Sequence, residues 1–253
     1  MKKIFTYLIA TAALMIISAA AMAQGGLTPF VGSTHEYTIT PESTSNTLTW
    51  SVVEGSGYTI NSQTVVTTTS VANITWNTAG TYTLQFVEDD GTCTTVKQKT
   101  VIVGTNTFDV STTNPTATCN AADGQVNFAG TTATTSITFT VDMTTANASF
   151  NPNWEIVFSL NPGTATLANI AATDGTLSGS GPYILTGIAS AGGNGTVDIT
   201  MDVTGNIYAD QSVVLTITSA TELTYNTPDV DSDDWIATQT INAIPNTSTI
   251  TTD

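Results

Sequence analysis

The sequence has no arginine and very little positive charge of any kind. Its four basic residues are all lysines, and they stand against 20 aspartates and glutamates, which gives a net charge of −16 at pH 7. A polyanion would be repelled, so we exclude nucleic acid as a partner and disfavour an anionic membrane surface. Charged residues make up only 9% of the chain, well below the usual quarter, and threonine and serine take their place on the surface.

Histidine is almost absent as well, because His35 is the single one. Nucleophilic catalysis needs a base that a third group orients beside the nucleophile, and nothing in the sequence nominates that third group. There is no Gly-x-Ser-x-Gly elbow and no glycine-rich phosphate loop followed by lysine. A zinc site built from cysteine and histidine would need at least three such ligands, and the sequence offers only three, which lie far apart. We therefore expect no enzymatic activity, and we interpret His35 as an edge-strand residue without a role.

Cysteine is also scarce, since Cys93 and Cys119 are the only two. Export to an oxidising compartment would permit a disulfide between them. Cys93 is expected at the start of the last strand of a first domain, and Cys119 follows the end of that strand. The chain would have to run back some 30 Å to join them, given about 3.3 Å per strand residue. An intramolecular disulfide, an intermolecular disulfide and free thiols all stay open.

Only one long apolar run is present, and it lies near the first residue. Two lysines precede the apolar segment from Ile4 to Ala21, and Ala21-Met22-Ala23 has the small-x-small pattern that signal peptidase reads. We predict a cleaved signal peptide over residues 1–23 and a mature chain from Gln24. A transmembrane anchor is the alternative, but the run is near the lower length limit for a span and no basic stop-transfer cluster follows. The expected location is extracellular or the outer surface of a bacterium, with the periplasm less favoured.

In the rest of the chain, apolar and polar residues alternate over four to eight positions, broken by Gly, Asn, Asp and Pro. Such alternation is typical of antiparallel strands with one buried face. Tyr82, Leu84 and Phe86 share one face of a predicted strand, and the following Asp90-Gly91 predicts a hairpin. Residues 24–103 are therefore expected to form an Ig-like sandwich of seven strands. The predicted strands are Glu36–Thr40, Thr47–Val53, Tyr58–Ile60, Thr64–Thr69, Val71–Trp76, Thr81–Val87 and Thr92–Val103.

The segment from Tyr37 to Val103 carries a recognisable set of motifs. They are Leu48-Thr49-Trp50-Ser51-Val52, Ile74-Thr75-Trp76, Gly80-Thr81-Tyr82-Thr83-Leu84 and Val101-Ile102-Val103. With them, residues of about 30–103 resemble a PKD-like domain, of the variety repeated in surface and secreted proteins of gliding and related Gram-negative bacteria. The resemblance covers about a third of the chain. It implies an Ig-like fold and a role as a spacer, adhesion module or stalk, and it implies no particular ligand.

The second half follows a short linker, Gly104–Asn106, and extends from residue 107 to residue 253. Ile137, Phe139 and Val141 alternate with Thr and Ser, and glycine-rich turns separate nine or ten predicted strands. This number of strands indicates a larger β-sandwich or jelly-roll-like module, so the fold class is all-β with two tandem antiparallel sandwiches. This half resembles no family that we identify. Its predicted strands are Phe108–Ser111, Gln125–Ala129, Ser136–Met143, Glu155–Leu160, Ala165–Ala171, Tyr183–Ile188, Thr196–Val203, Ser212–Ser219, Leu223–Tyr225 and Trp235–Ile244.

One acidic loop has four carboxylates in the six residues from Asp229 to Asp234. Calcium binds several oxygen ligands in flexible loops, and Asp229, Asp231 and Asp233 alternate in a suitable way, with Asp234 beside them. The glycine and the distal glutamate of an EF-hand are missing, so a calcium site here would be of another kind. The alternative is a solvated turn that keeps the chain soluble. Calcium is the only cofactor that the sequence suggests.

Four tryptophans could stack on sugar rings if they were exposed, but two of them have core parity on predicted strands. Trp154 and Trp235 are the candidates for exposure and thus for ligand binding. The sequence predicts a non-catalytic, secreted or cell-surface protein with a structural or adhesive role, and a carbohydrate-binding accessory module is the alternative. Its partners would be other surface proteins, glycans, or a second copy paired through an edge strand such as Trp235–Ile241.

Overall fold

A computed structural model of the chain describes residues 29–123, 130–147 and 149–246. In these residues the regular structure is entirely β, in seventeen strands, so the predicted all-β fold class is confirmed. Strand pairs are antiparallel apart from one short parallel pairing in the second half. The predicted signal peptide and the predicted strand Gln125–Ala129 lie outside the described residues. Within those residues there is no helix with the length and apolarity that a membrane span requires.

Six strands build a first unit, which we call the N-terminal sandwich. They are β1 (Thr34–Ile39), β2 (Thr47–Val52), β3 (Tyr58–Val66), β4 (Thr69–Trp76), β5 (Gly80–Asp89) and β6 (Thr94–Val103). One sheet has the order β1-β4-β3 and the other has the order β2-β5-β6. The period-two pattern turns Trp50, Leu84 and Phe86 inward, and the fully buried Trp76 packs with them in one core.

The N-terminal sandwich has six strands where seven were predicted. The expected strands Tyr58–Ile60 and Thr64–Thr69 are one strand, β3, because a bulge at Asn61 absorbs the break in alternation while the pairing with β4 continues. The chain reverses just after β3 at Thr67, which has a positive φ of 57°. A single irregular residue therefore mimics a turn in the sequence pattern.

Eleven strands build a second unit, which we call the C-terminal sandwich. They are β7 (Asp109–Thr112), β8 (Thr118–Cys119), β9 (Thr132–Thr144), β10 (Trp154–Asn161), β11 (Thr166–Ala172), β12 (Thr176–Gly179), β13 (Tyr183–Ile188), β14 (Asn194–Asn206), β15 (Gln211–Glu222), β16 (Thr227–Pro228) and β17 (Ile236–Asn242). One sheet has the order β12-β13-β10-β15-β17-β8, with β16 also paired to β15, and the other has the order β11-β14-β9-β7. The cores of the two sandwiches form separate clusters. The domain limits 24–103 and 107–253 stay a prediction.

Strict alternation explains the long central strands of the C-terminal sandwich. On β9 and β14, residues such as Phe139 and Ile199 are fully buried, whereas the outward positions are Thr, Ser and Asp. The outward side chains bond across the strands, as Thr140 Oγ1 donates to Asp198 Oδ1 at 2.7 Å. The hydroxyls thus solvate carboxylates that have no cationic neighbour among the residues that the structure describes, which is how an acidic chain with few lysines forms a stable sheet surface.

The predicted strand Leu223–Tyr225 is wrong, since these residues form the turn between β15 and β16. The cause is the side chain of Glu222, which accepts hydrogen bonds from backbone amides of this segment and takes the place of a strand partner. The short strands β8, β12 and β16 were not predicted, because two to four residues carry too little alternation to distinguish from a loop.

Candidate functional site

The two sandwiches meet at a junction, formed by the segment before β1, the linker after β6 and the turn between β15 and β16. Gly104 N donates to Pro29 O at 2.8 Å, and Val31 N donates to Gly104 O at 3.0 Å, so the two chain segments that reach the junction are bound together. From the same side, Thr34 N donates to Tyr225 O at 2.9 Å. The backbone of β1 is therefore fastened directly to the C-terminal sandwich.

Close packing accompanies these bonds. Asn106 Nδ2 donates to Pro228 O at 2.9 Å across the linker. Gly32 has a φ of +87°, and a Cβ added there would lie 3.2 Å from Thr227 Cγ2 and 3.4 Å from Pro228 Cδ. Only glycine adopts this backbone conformation at little cost and leaves this space. The junction therefore has little room for a change of angle.

Four rings fill the centre of the junction. Phe30 and His35 come from the N-terminal side, and Phe150 and Tyr225 come from the C-terminal side. The His35 ring stacks on Tyr225 with centroids 4.1 Å apart, and Phe30 meets the edges of Phe150 at 5.5 Å and Tyr225 at 6.1 Å. Phe150 and Tyr225 stack at 5.9 Å. Aromatic pairs of this kind add about 0.5–1.5 kcal/mol each beyond the area they bury.

A buried carboxylate shapes the turn that presents Tyr225. Glu222 is fully buried, and its oxygens accept hydrogen bonds from Thr224 N at 2.8 Å, from Tyr225 N at 2.9 Å and from Thr227 N at 3.0 Å. A charge without water must be compensated by such donors. The sequence pattern gives no sign of this role, because Glu222 ends a strand that is otherwise ordinary.

His35 lies on β1, an edge strand of its sheet as expected, but it is buried in the junction, which corrects the expectation that it has no role. Burial lowers the pKa of its imidazole from the ordinary 6.5 to about 4, so the ring is neutral at pH 7. Its Nε2 lies 2.9 Å from Ser33 Oγ, but that hydroxyl donates to Phe30 O at 2.6 Å and is itself fully buried. A substrate carbonyl could not reach this serine, so the pair has a structural place in the junction.

The acidic loop folds against β7 and forms a carboxylate cluster different from the predicted one. Carboxylate oxygens of Asp109, Asp231 and Asp234 all lie within 4.8 Å of one another. Partial burial raises the pKa of Asp109, and the charges of Asp234 and Asp231 raise it further. Three carboxylates at this spacing repel one another, and a divalent cation with oxygen preference is the kind of ion that would relieve the repulsion.

The predicted ligands Asp229 and Asp233 are not in this cluster. Asp229 accepts hydrogen bonds at its Oδ2 from Trp235 Nε1 at 2.8 Å and from Val110 N at 3.1 Å. Burial raises its pKa to about 6, although these donors act in the opposite direction. Asp229 thus anchors the loop to β7. Asp109 was missed because it lies far away in sequence and only the order of the strands brings it to the loop.

The two tryptophans proposed for ligand binding have other surroundings than predicted. Trp154 is fully buried in the core of the C-terminal sandwich, which corrects its assignment as an exposed residue. Its position at the start of β10 has inward parity, a fact hidden by the preceding Asn151-Pro152-Asn153. Trp235 is half-buried against the same core, and its Nε1 is bonded to Asp229. Trp154 therefore offers no free face for sugar stacking, and the ring nitrogen of the half-buried Trp235 is already bonded.

Both cysteines are exposed and free in the structure, so the intramolecular disulfide that the sequence permits is not formed. Cys93 lies in the hairpin between β5 and β6, and Cys119 ends β8 in the other sandwich. A disulfide requires Cα atoms about 4.4–6.8 Å apart. The second half of the chain does not run back along β6 as that bridge would demand.

The predicted assembly edge at the end of the chain is covered. β17 lies between β15 and β8 in its sheet, and Asn114 Oδ1 accepts a hydrogen bond from Thr238 N at 2.7 Å. The alternative that this strand completes its own sheet is therefore what the structure has.

Two other edges carry features that oppose pairing with another chain. At β2, the Gln63 side chain accepts from Trp50 N at 3.0 Å and donates to Trp50 O at 3.1 Å, which occupies the free backbone groups. On β6, Lys97 and Lys99 stand opposite the core residues Phe86 and Leu84 and so share their inward face. Lys97 is nevertheless exposed and Lys99 half-buried, and lysines on an edge strand disfavour sheet extension.

No family model and no curated protein matches the sequence. The PKD-like assignment of residues 30–103 therefore stays a prediction.

Among solved structures, three similar ones are a chimeric titin Z1Z2, the D0-D1 domain of intimin, and CfaE, the adhesive subunit of the CFA/I fimbria of enterotoxigenic Escherichia coli. The titin chimera is 8% identical over 87% of this chain and 93% of its own, with a TM-score of 0.34. Intimin D0-D1 is 12% identical over 85% and 94%, with a TM-score of 0.27. CfaE is 10% identical over 70% and 64%, with a TM-score of 0.34. All three TM-scores are below 0.5.

Proposed function

We propose that this chain is an exported, non-catalytic protein of the bacterial surface, and that it acts as a structural or adhesive spacer. It holds two β-sandwiches at a fixed angle and presents their faces and loops to other surface molecules. The N-terminal sandwich is, on this proposal, a PKD-like module, and the residues of its motifs form the core and the hairpin that such a module needs.

The junction is the observation that carries the proposal. A flexible tether would leave the linker solvated, whereas here a backbone bond joins Thr34 to Tyr225 and the side chain of Asn106 donates to the carbonyl of Pro228. The four packed rings and the lack of space at Gly32 support the same interpretation. Rigid coupling of two sandwiches serves to transmit position or force along a chain, and it serves no step of a chemical reaction.

The alternative of a carbohydrate-binding module has less support. It would rest on Trp154 and Trp235, of which the first is buried and the second is tied to Asp229. A binding platform for sugars needs an exposed aromatic face with polar groups beside it. The polar outer faces of the sheets still offer hydroxyls, so glycans stay a secondary partner class.

Deletion of the gene in the bacterium that carries it tests the proposal. We expect weaker attachment of the cells to their substratum, restored by the wild-type chain. A chain with a flexible Gly-Ser insertion after Gly104 should fold and reach the surface but restore attachment poorly. Protease treatment of intact cells should remove the protein, which shows that it is outside.

Normal attachment in the deletion strain, or full rescue by the flexible chain, would contradict the spacer proposal. The matched control is the same insertion in the exposed hairpin after Gly91, which leaves the junction intact.

A further inference from the structure

The junction joins two units that each have a core of their own. The two cores form separate clusters, and within the described residues no strand of one sandwich packs extensively on a strand of the other. A backbone bond from Thr34 N to Tyr225 O and a side-chain bond from Asn106 to Pro228 O cross between the units. Because openings begin in the least packed parts of a fold, the junction can open while both cores stay intact.

One polar group of the junction is left unsatisfied by the closed arrangement. Thr227 is fully buried, and its Oγ1 has no hydrogen-bond partner among the described residues. Its Cγ2 lies against Gly32, 3.2 Å from the position that a Cβ would take there. Burial of a hydroxyl without a partner opposes the closed arrangement, and opening gives this group access to water.

The hydrogen bonds of Ser33 fix the tautomer of the neutral His35 ring. Ser33 Oγ donates its proton to Phe30 O at 2.6 Å, so it acts as an acceptor toward His35. The Nε2 atom of His35, 2.9 Å away, therefore carries the ring proton, and Nδ1 has none. A second proton would go to Nδ1, which makes no hydrogen bond within the described part of the chain.

The groups around the imidazole offer it no counter-charge. Tyr225, a neutral phenol in acid, covers one face of the ring at a centroid distance of 4.1 Å, and the apolar Ile74 of β4 is its strand partner. The carboxylate of Glu222 is already bound to backbone amides of its own turn. Glu36, the next residue on β1, is exposed and points to the other face of the strand. Burial accordingly lowers the pKa of His35 to about 4, with no carboxylate acting against it.

A cation–π attraction to Tyr225 is the interaction that would favour a closed, protonated ring. It acts on the face of the Tyr225 ring, but the charged imidazole must still give up its hydration to stay buried, and that cost is larger without a partner. The pKa of about 4, below the ordinary 6.5, has the sign expected when desolvation dominates. Protonation therefore favours an arrangement in which His35 reaches water.

We propose that the junction is an acid-sensitive hinge. Protonation of His35 separates its ring from Tyr225, and the bond from the neighbouring Thr34 to Tyr225 is lost with it. The two sandwiches then change their relative orientation while each stays folded. As the regulation of a rigid spacer, the hinge rests on the proposed function, whereas the opening itself does not depend on it.

Acid favours the open arrangement over a defined range of pH. The imidazole has the ordinary pKa of 6.5 when it is solvated and about 4 when the junction is closed, so the open arrangement takes up the proton first. The ratio of open to closed molecules is constant above pH 6.5, rises as the pH falls to 4, and is constant below. The rise is at most about 300-fold, because the ratio changes tenfold for a pKa difference of one.

The two free cysteines allow the hinge to be measured in the chain from Gln24 without any substitution. Cys93 and Cys119 are exposed and lie one in each sandwich, so nitroxide labels on both report the distance between the units by double electron–electron resonance. We expect one narrow distance distribution at pH 7.5. A second, broader population should grow from pH 6 to pH 4 and disappear on return to pH 7.5. Circular dichroism and tryptophan fluorescence, which report the two cores through Trp76 and Trp154, should stay unchanged.

His35→Phe is the matched control, because it keeps a ring on Tyr225 and takes up no proton. It retains every carboxylate, including Asp229 with its pKa of about 6, and its distance distribution should stay narrow at pH 4. A second measurement needs no variant, since His35 is the only histidine and its NMR signal is unambiguous. In the wild-type chain this signal should titrate together with the distance change, with an apparent pKa below 6.5.

A wild-type distribution that stays narrow at pH 4 would overturn the hinge, and so would a His35 signal that titrates without any change in distance. Equal broadening in His35→Phe would assign the opening to other groups and overturn the role of His35. Loss of circular dichroism together with the distance change would show that a sandwich unfolds, which also contradicts a hinge. None of these outcomes affects the deletion experiment at neutral pH, so the two proposals fail separately.

Discussion

The His35 imidazole stacks on the Tyr225 ring with a centroid distance of 4.1 Å and an interplanar angle of 23°. One ring belongs to β1 of the N-terminal sandwich and the other to the turn after β15. The pair is therefore a direct contact between the two units. Protonation would put a positive charge on this buried imidazole, so the stability of the contact depends on pH.

Acid should weaken the fold through His35. Its pKa is about 4 in the folded chain and 6.5 as an ordinary value, so the unfolded state takes up the proton first as the pH falls. Stability from this group is complete above pH 6.5, declines between pH 6.5 and 4, and is constant below. We expect a loss of about 1–2 kcal/mol, the full linkage value being reduced by solvent screening.

Urea unfolding at several pH values checks this, with His35→Phe as the reference that keeps the stack. The difference between wild type and variant should fall from pH 6.5 to 4. A constant difference over that range would show that the imidazole does not titrate differently on folding.

The turn after β15 should need a carboxylate, and not an amide, at position 222 for its stability. Glu222→Gln puts an NH2 donor among backbone N–H donors, which leaves amides of the turn unsatisfied. We expect a loss of about 3 kcal/mol of unfolding free energy, because buried donors without partners cost about 1–3 kcal/mol and more when a charge is involved. Glu36→Gln, at an exposed position of β1, is the control and should change stability by less than about 0.5 kcal/mol. Equal effects of the two variants in urea unfolding would contradict the role of Glu222.

Substitution of Trp154 and of Trp235 should lower the stability of the protein by different amounts, and neither substitution should affect sugar binding. Trp154→Ala should cost about 3–5 kcal/mol, since it empties a fully buried site, while Trp154→Phe should cost less. Trp235→Ala should cost less than Trp154→Ala, because its ring is half-buried. Isothermal titration with soluble polysaccharides should show no loss of binding specific to Trp235→Ala. A selective loss, with stability retained, would favour the carbohydrate-binding alternative.

Strand positions followed from the sequence where alternation is long. β5, β9, β14 and β15 each repeat apolar residues at every second position, and burial on one face requires that pattern. Features that depend on contacts between distant residues did not follow. His35 is buried because Tyr225, some 190 residues away, covers it, and Asp109 joins Asp231 because β7 is placed beside the acidic loop. The local sequence around each residue does not predict such distant neighbours.

Calcium binding stays a prediction, and the structure changes which residues should matter. With calcium at about ten times its dissociation constant, linkage adds about 1.4 kcal/mol, which for a chain of this size raises Tm by roughly 2–4 °C. Extracellular sites have dissociation constants of about 10⁻⁴–10⁻³ M, so about 1–10 mM calcium reaches that ratio. Asp109→Asn and Asp231→Asn should abolish the rise.

Asp233→Asn is the matched control, because Asp233 lies in the same loop and outside the cluster of Asp109, Asp231 and Asp234. Without calcium, Asp109→Asn should raise Tm slightly, since it removes a carboxylate whose pKa is raised by burial and by its acidic neighbours. The effect of Asp109→Asn on Tm, relative to wild type, thus changes sign when calcium is present. Lower pH should weaken the calcium effect, because protons compete for these carboxylates. If Tm is unchanged at several millimolar calcium at pH 7, the loop is a solvated turn, and the cluster has no metal.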